Sequence, residues 1–417
     1  MTAEQELFCS LIRLALHSGD RGTLPNEEKG AGTLSEEERI LAEKSLDALV
    51  SLAEEQNTLL LLYKSLYSLN LPLPQETEGS LKRRVTSCCY GCYQMLSFTR
   101  LVLRILEEEK VTYYVLKGIS LLSSYPDFEM RGYGDVDILV PEEEDFSKAM
   151  KRFQAEGFQG KRDFTDHHTE LLLNKDGRTF LLELHNKVIA SQDNAHLNKK
   201  VVTIYTGLPA RPEVFGLAGL HYQALPPTEN ALHLLLHMLQ HFLKSGFGIR
   251  LLCDWCAYLE KHGNELDTAL FRDYVSDLGL TGFCDAMTGL CIRYIGLPEK
   301  TASLVMSGSI KASALDGLME DILSAGQFGK NDVSRMLIMP DGHTGIGSYF
   351  HQLHRQMKNR FQQLHHIVPL WPVLWCITGI CFVWNNHFLR KTKTSDILQT
   401  AKRRKLLLRE LHLYQKK

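Results

Sequence analysis

Apolar positions recur at helical intervals through most of the first 110 residues. Ser35 followed by Glu38 has capping-box spacing, and Ile40, Leu41, Leu46, Leu49, Val50 and Leu52 then predict one apolar stripe on a helix. The polar, glycine-bearing stretch from His17 to Thr33 reads as a loop, and a second long helical pattern runs from about Leu81 to the acidic run Glu107, Glu108, Glu109. The period then changes. Val111 to Leu116 (VTYYVL) is β-branched and aromatic, so it predicts a strand closing at Lys117-Gly118, with ISLLSSY as a short helix behind it. Asp135 to Val140 predicts a second strand, and Pro141 with three glutamates opens a helix to about Glu156. His168 to Asn174 and Thr179 to His185 flank KDGR, whose Asp176-Gly177 suits a hairpin turn. After a less regular stretch with PARPEVF and ALPPTEN, Thr228 is placed to cap a helix carrying Leu232, Leu235, Leu236, Leu239 and Phe242, and helical patterns continue to about 330. The expectation is an α+β fold, a small mixed β-sheet flanked by helical regions. Its predicted parts are 1–110 helical, 111–210 the sheet core, 211–330 a helical domain and 331–417 a C-terminal helical segment.

With 417 residues the chain exceeds what one hydrophobic core usually organises, while 44% apolar and 23% charged residues are ordinary for a globular protein. A net charge of −2 excludes an overall basic nucleic-acid-coating protein. The balance hides a local excess: from Arg390 to Lys417 ten Lys/Arg stand against Asp396 and Glu410, a charge of +8. Beside that tail, 361–389 contains no Asp, Glu, Lys or Arg. Its centre, IVPLWPVLWCITGICFVW (367–384), is at the short limit for a membrane span and holds Pro369, Pro372 and Gly379, so it reads first as a buried helix. Contact with a membrane surface through this apolar and basic segment is the alternative. The N-terminus lacks a basic region followed by an apolar one and a cleavage site, which predicts a cytoplasmic protein. Cys89/Cys92 and Cys253/Cys256 are CxxC pairs inside helical patterns, which predicts buried thiols in place of a zinc site.

The informative chemistry lies in the sheet segment. In Asp135-Val136-Asp137 the two carboxylates share one face of a strand, and their mutual repulsion favours a cation between them. Without context, an acidic strand end facing solvent is the plain alternative. Context comes from Lys117-Gly118-Ile119-Ser120, where a glycine permits close backbone approach and a hydroxyl, helix amides and a lysine could receive phosphate. Glu183, between Leu182 and Leu184, faces away from the core, and His185 shares its face. Of the adjacent His167 and His168, alternation brings one inward. His233, His237 and His241 fall four residues apart and cannot converge on one ion from a straight helix, which leaves His237 or His241 for an acceptor cleft with Arg250 and Asp254. Those last two are themselves spaced to pair.

The run VLKGISLL, RGYGDVDILV and FLLELHNKV resembles the nucleotidyltransferase superfamily, with its minimal DNA polymerase β-like fold. More narrowly it is similar to bacterial proteins described as nucleotidyltransferase family proteins, over about residues 80–270. The resemblance implies that Asp135, Asp137 and Glu183 hold two Mg²⁺ ions and that Glu183 helps deprotonate an acceptor hydroxyl. It further implies an NTP as co-substrate, contacted by Lys117, Gly118, Ser120, Arg131 and His185, with pyrophosphate as leaving group. Two departures stand out: Ile119 separates the glycine from the serine, and the third acid is Glu where Asp is commoner. The first motivates a second reading, a catalytically silent nucleotide-binding regulatory protein of the same fold.

Overall fold

Helices α1 (Ala3–Leu16), α2 (Glu36–Lys44), α3 (Leu46–Glu55), α4 (Leu59–Ser68) and α5 (Gln75–Glu108) precede the first strand. They belong to a computed structural model that describes residues 1–18, 34–160, 167–192, 194–215, 219–244, 246–326 and, in the tail, 353–354, 357–358, 360–361, 364 and 366–384. Most of the predicted 17–33 loop lies outside the described residues. The Ser35 cap forms as expected: Ser35 Oγ accepts from the Glu38 amide at 3.2 Å, and Glu38 Oε2 accepts from the Ser35 amide at 2.8 Å. The predicted continuous stripe breaks at Ser45, which leaves the helical region between α2 and α3, so Leu49 and Val50 are buried while Ile40 is exposed.

The sheet has seven strands, more than the small sheet expected. In chain order they are β1 (Tyr114–Val115), β2 (Asp135–Leu139), β3 (Gln159–Gly160), β4 (His168–Lys175), β5 (Arg178–His185), β6 (Arg211–Phe215) and β7 (Leu220–Ala224), arranged β3-β4-β5-β2-β1-β7-β6. The β6–β7 hairpin falls in the stretch that reads as irregular. Its signal is the alternation of Leu220, Tyr222 and Ala224, all buried, with His221 and Gln223 between them, interrupted on the β6 side by Pro212. Behind β1, the short helix expected there forms as a tight 3-10 helix over Gly118–Ser124, while α6 (Glu143–Ala155) starts two residues after Pro141, with Glu142 as its cap. Helix α7 (Ala195–Tyr205) precedes the second hairpin.

Two apolar cores sandwich the sheet's functional half. Val136, Ile138, Leu182 and Leu184 pack against α5 and α6 through Leu96, Phe98, Val102 and Phe153. The other face looks toward a helical core built jointly by α1, α3 and α4 with α8 (Pro227–Lys244), α9 (Arg250–His262), α10 (Thr268–Asp277), α11 (Thr281–Leu290) and α13 (Ala312–Ala325), the short α12 (Glu299–Ala302) lying before the last. Pro227 opens α8. Thr228 is therefore already inside that helix, and its hydroxyl accepts instead from the Asp267 amide at 3.0 Å.

Gly296 caps the turn Cys291–Ile295 that follows α11, beside the end of α1. Its φ of +95° belongs to the left-handed region, and an added Cβ would lie 2.9 Å from Arg13 Cγ. Gly296→Ala is expected to lower stability by about 1–3 kcal/mol, from backbone strain plus displacement of the Arg13 and His17 side chains, readable as a lower midpoint in urea with unchanged slope.

In the tail, α14 (Trp371–Trp384) is not the buried helix expected. Leu374 and Thr378 are buried, but Val373 is 56% and Ile380 65% exposed. Among the described residues no helix is long and apolar enough to cross a membrane. Of the CxxC thiols, Cys92, Cys253 and Cys256 are buried as predicted and Cys89 is half-buried; all ten cysteines are free.

Candidate active site

Strand register builds the site. β2 runs parallel to β5 with Asp137 opposite Glu183 and Leu139 opposite His185, and β4 sets His168 opposite His185 and Glu170 opposite Glu183. Because side chains alternate, Asp135, Asp137, Glu183, His185 and His168 all leave the same face. They open into a cavity of about 600 Å³ roofed by α8 and α9. Gly118 reaches this cavity with φ +50°, a conformation that favours glycine, and so lets the chain turn from β1 beside the Asp135 carbonyl.

Charges here are tightly interlocked. Lys117 Nζ lies 2.9 Å from Asp137 Oδ1. His185 Nε2 lies 3.2 Å from the same oxygen and 3.4 Å from Glu183 Oε2. Burial would raise the Glu183 carboxyl, yet the His185 hydrogen bond and the Lys117 ammonium outweigh it and hold the group at about 2. Burial likewise opposes the charged forms of Lys117 and His185, and the carboxylates overturn it in both, raising each above its ordinary value. Asp135 behaves oppositely: the neighbouring Asp137 charge, then burial, push it up.

The remaining predicted residues separate into those that reach the cavity and those that do not. His167 and His168 both line it, where one was expected; His167 sits just before β4 begins, so strand alternation does not govern it. His233, His237 and His241 line it from α8, the last two with Nε2 atoms 3.0 Å apart. Arg250 and Asp254 line it too, but they do not form the helical pair expected of them. Asp254 is held by Arg131 instead, through Nε at 3.1 Å and Nη2 at 3.0 Å, and also accepts from the Tyr125 hydroxyl at 2.7 Å. Arg250 donates to the Gly132 carbonyl at 3.3 Å and keeps a buried Nε with no hydrogen-bond partner. Ser120 is turned away: its hydroxyl donates to the Lys117 carbonyl at 3.0 Å, and it is not among the cavity-lining residues.

His233 carries a pH signature. Both ring nitrogens are buried without hydrogen-bond partners, and burial, with Lys117 adding to it, lowers the imidazole to about 3. A histidine lowered on folding stabilises fully above its unfolded value, and that contribution is lost as pH falls from there toward the folded value. His233→Leu is therefore expected to flatten the decline in stability between about pH 6.5 and 4, measured by urea unfolding at several pH values. Equal slopes for the two proteins would contradict the assignment.

The donor set suits divalent cations. Asp137 Oδ2 is buried with no hydrogen-bond partner, and single donor atoms of Asp137, Glu183 and His185 lie within 4.8 Å of one another. Asp135 is in the cavity but outside that group. A carboxylate oxygen that lacks any donor inside an acidic cleft is a place a cation fits.

A strand opening on paired acids, a third acid in register beside it and a lysine between them, all under a helical roof, agree with what comparison with known families finds. A family model described as an uncharacterised nucleotidyltransferase matches residues 42–296, from α2 to the glycine that ends the α11 region. No curated protein and no solved structure matches the chain. With more than half of its length inside that match, including every cavity-lining residue named above, the chain belongs to the uncharacterised nucleotidyltransferase family.

Proposed function

We propose that the protein transfers a nucleoside monophosphate from an NTP to a hydroxyl or phosphate of an acceptor, be it a small molecule, a saccharide, a peptide or a protein. The observation that carries this reading is the in-register set Asp135, Asp137 and Glu183 at the floor of a cavity large enough for a nucleotide. In the reaction an acceptor oxygen forms a bond to the α-phosphorus, the bond from that phosphorus to the bridging oxygen breaks and pyrophosphate leaves, and a hydroxyl acceptor gives up its proton to solvent water. Asp135, Asp137 and Glu183 would hold two Mg²⁺ ions, which supply Lewis-acid stabilisation of the phosphoryl oxygens. Glu183, ionised down to about pH 2, suits a ligand better than a base at neutral pH. Lys117 is placed to exchange Asp137 for a phosphate oxygen as substrate enters. Arg250, with its buried unpartnered Nε, is better placed than Arg131 to meet a second anionic group, since Asp254 engages the Arg131 guanidinium. The histidines of α8 form the acceptor side.

Incubation with each α-labelled NTP, Mg²⁺ and fractionated metabolite or protein acceptors should give labelled product and pyrophosphate. Ser120, turned out of the cavity, favours one competing reading, a nucleotide-binding regulator without turnover. Calorimetric binding of Mg-NTP with no modified acceptor in any fraction would support that reading against transfer.

A further inference from the structure

His167, His168 and His185 form a second cluster beside the carboxylates. His168 stands directly across the sheet from His185, and His167, at the bend before β4, folds in against both. Ring centroids are 4.3 Å apart for His167 and His168, 5.0 Å for His168 and His185, and 5.6 Å for His167 and His185. One ring nitrogen from each lies within 4.8 Å of the other two, and His168 Nδ1 and His167 Nε2 share a 2.9 Å hydrogen bond that an ion would replace. All three side chains are buried or nearly so, on the cavity wall.

We propose that these three histidines bind a nitrogen-preferring divalent cation of the Zn²⁺ class, distinct from the Mg²⁺ ions at the carboxylates. Three imidazoles with an open cavity beside them are the donor set that such an ion takes, whereas Mg²⁺ favours oxygen. The orientation of His185 supports the assignment independently. Its Nε2 faces Asp137 and Glu183, while its Nδ1 is buried with no hydrogen-bond partner. Metal-bound histidines commonly direct the other ring nitrogen at a carboxylate, so an ion at Nδ1 fixes the proton on Nε2, where it donates to the two acids. The ion would thereby position the carboxylates proposed to hold Mg²⁺.

The test uses full-length protein stripped with chelator, without nucleotide, and Co²⁺ as the probe. The expected result is a visible absorption band of nitrogen-ligated Co²⁺ that saturates at one equivalent, survives excess Mg²⁺ and is displaced by Zn²⁺. The band should disappear in His167→Ala and His168→Ala, each checked for folding by circular dichroism. It should persist in Asp135→Asn, a change expected to impair transfer, so the histidine site and the transfer reading can fail separately. X-ray absorption on the wild-type protein, counting imidazole scatterers around the metal, gives the answer even if a variant misfolds. Absence of the band, its loss to Mg²⁺, or its persistence in either folded histidine variant would overturn the proposal.

Discussion

Asp137→Asn is expected to reduce pyrophosphate release by roughly 10²–10³-fold or more while the protein stays folded. No other acid in the cavity is so central. One of its oxygens meets both Lys117 and His185, and the other is buried with no hydrogen-bond partner, the position a cation would complete. An amide keeps the volume and can still accept one hydrogen bond, but it removes the negative charge that Lys117 and His185 face and that a metal would need. Glu183→Gln should lose activity comparably, because the same Lys117 and His185 charges hold it ionised. Ser120→Ala should change the rate by less than about tenfold, since its hydroxyl is already bonded to the Lys117 carbonyl. A steady-state pyrophosphate assay on the three variants, with unfolding midpoints beside it, distinguishes the outcomes. Full activity in Asp137→Asn would remove the transfer reading.

The parts of this site legible in the sequence are those that strand geometry dictates. Period-two alternation is strict, so spacing alone puts Asp135 with Asp137 and Glu183 with His185, and the parallel register of β2 and β5 then brings both pairs onto one face. Helical spacing is a poorer guide. The four-residue offset between Arg250 and Asp254 satisfies the rule for a pair, yet Asp254 is taken by Arg131, more than a hundred positions earlier in the chain. Both arginines carry the same two-donor fork, so position decides: α9 presents Asp254 to the turn before β2, where Arg131 approaches edge-on, while Arg250 donates to the Gly132 carbonyl. His167 escapes for a related reason, because it lies outside the strand whose alternation sorts its neighbours. The exposure of α14 is illegible too: an uncharged apolar run specifies that its residues avoid water, not which surface they find.

The Arg131–Asp254 contact sets the second large effect. Both side chains are about 4% exposed, so each charge has given up water and depends on the other. Asp254→Ala leaves the guanidinium buried with one backbone acceptor, the Gly132 carbonyl, and strips the Tyr125 hydroxyl of its acceptor. The expected loss is about 3–5 kcal/mol, the usual cost of removing one partner from a buried ion pair. Arg131→Met should cost a similar amount by stranding the carboxylate. The double variant Arg131→Met with Asp254→Leu removes both charges together, and its loss should be well below the sum of the single losses, since apolar pairs of similar volume often replace a buried bridge at little cost. Additive losses in the cycle, measured by urea unfolding, would show that the two residues act separately. Activity adds a second reading of the same cycle: this bridge ties the turn before Asp135 to the helix that carries Arg250, so a double variant with restored stability and slow transfer would assign the bridge to positioning the cavity wall.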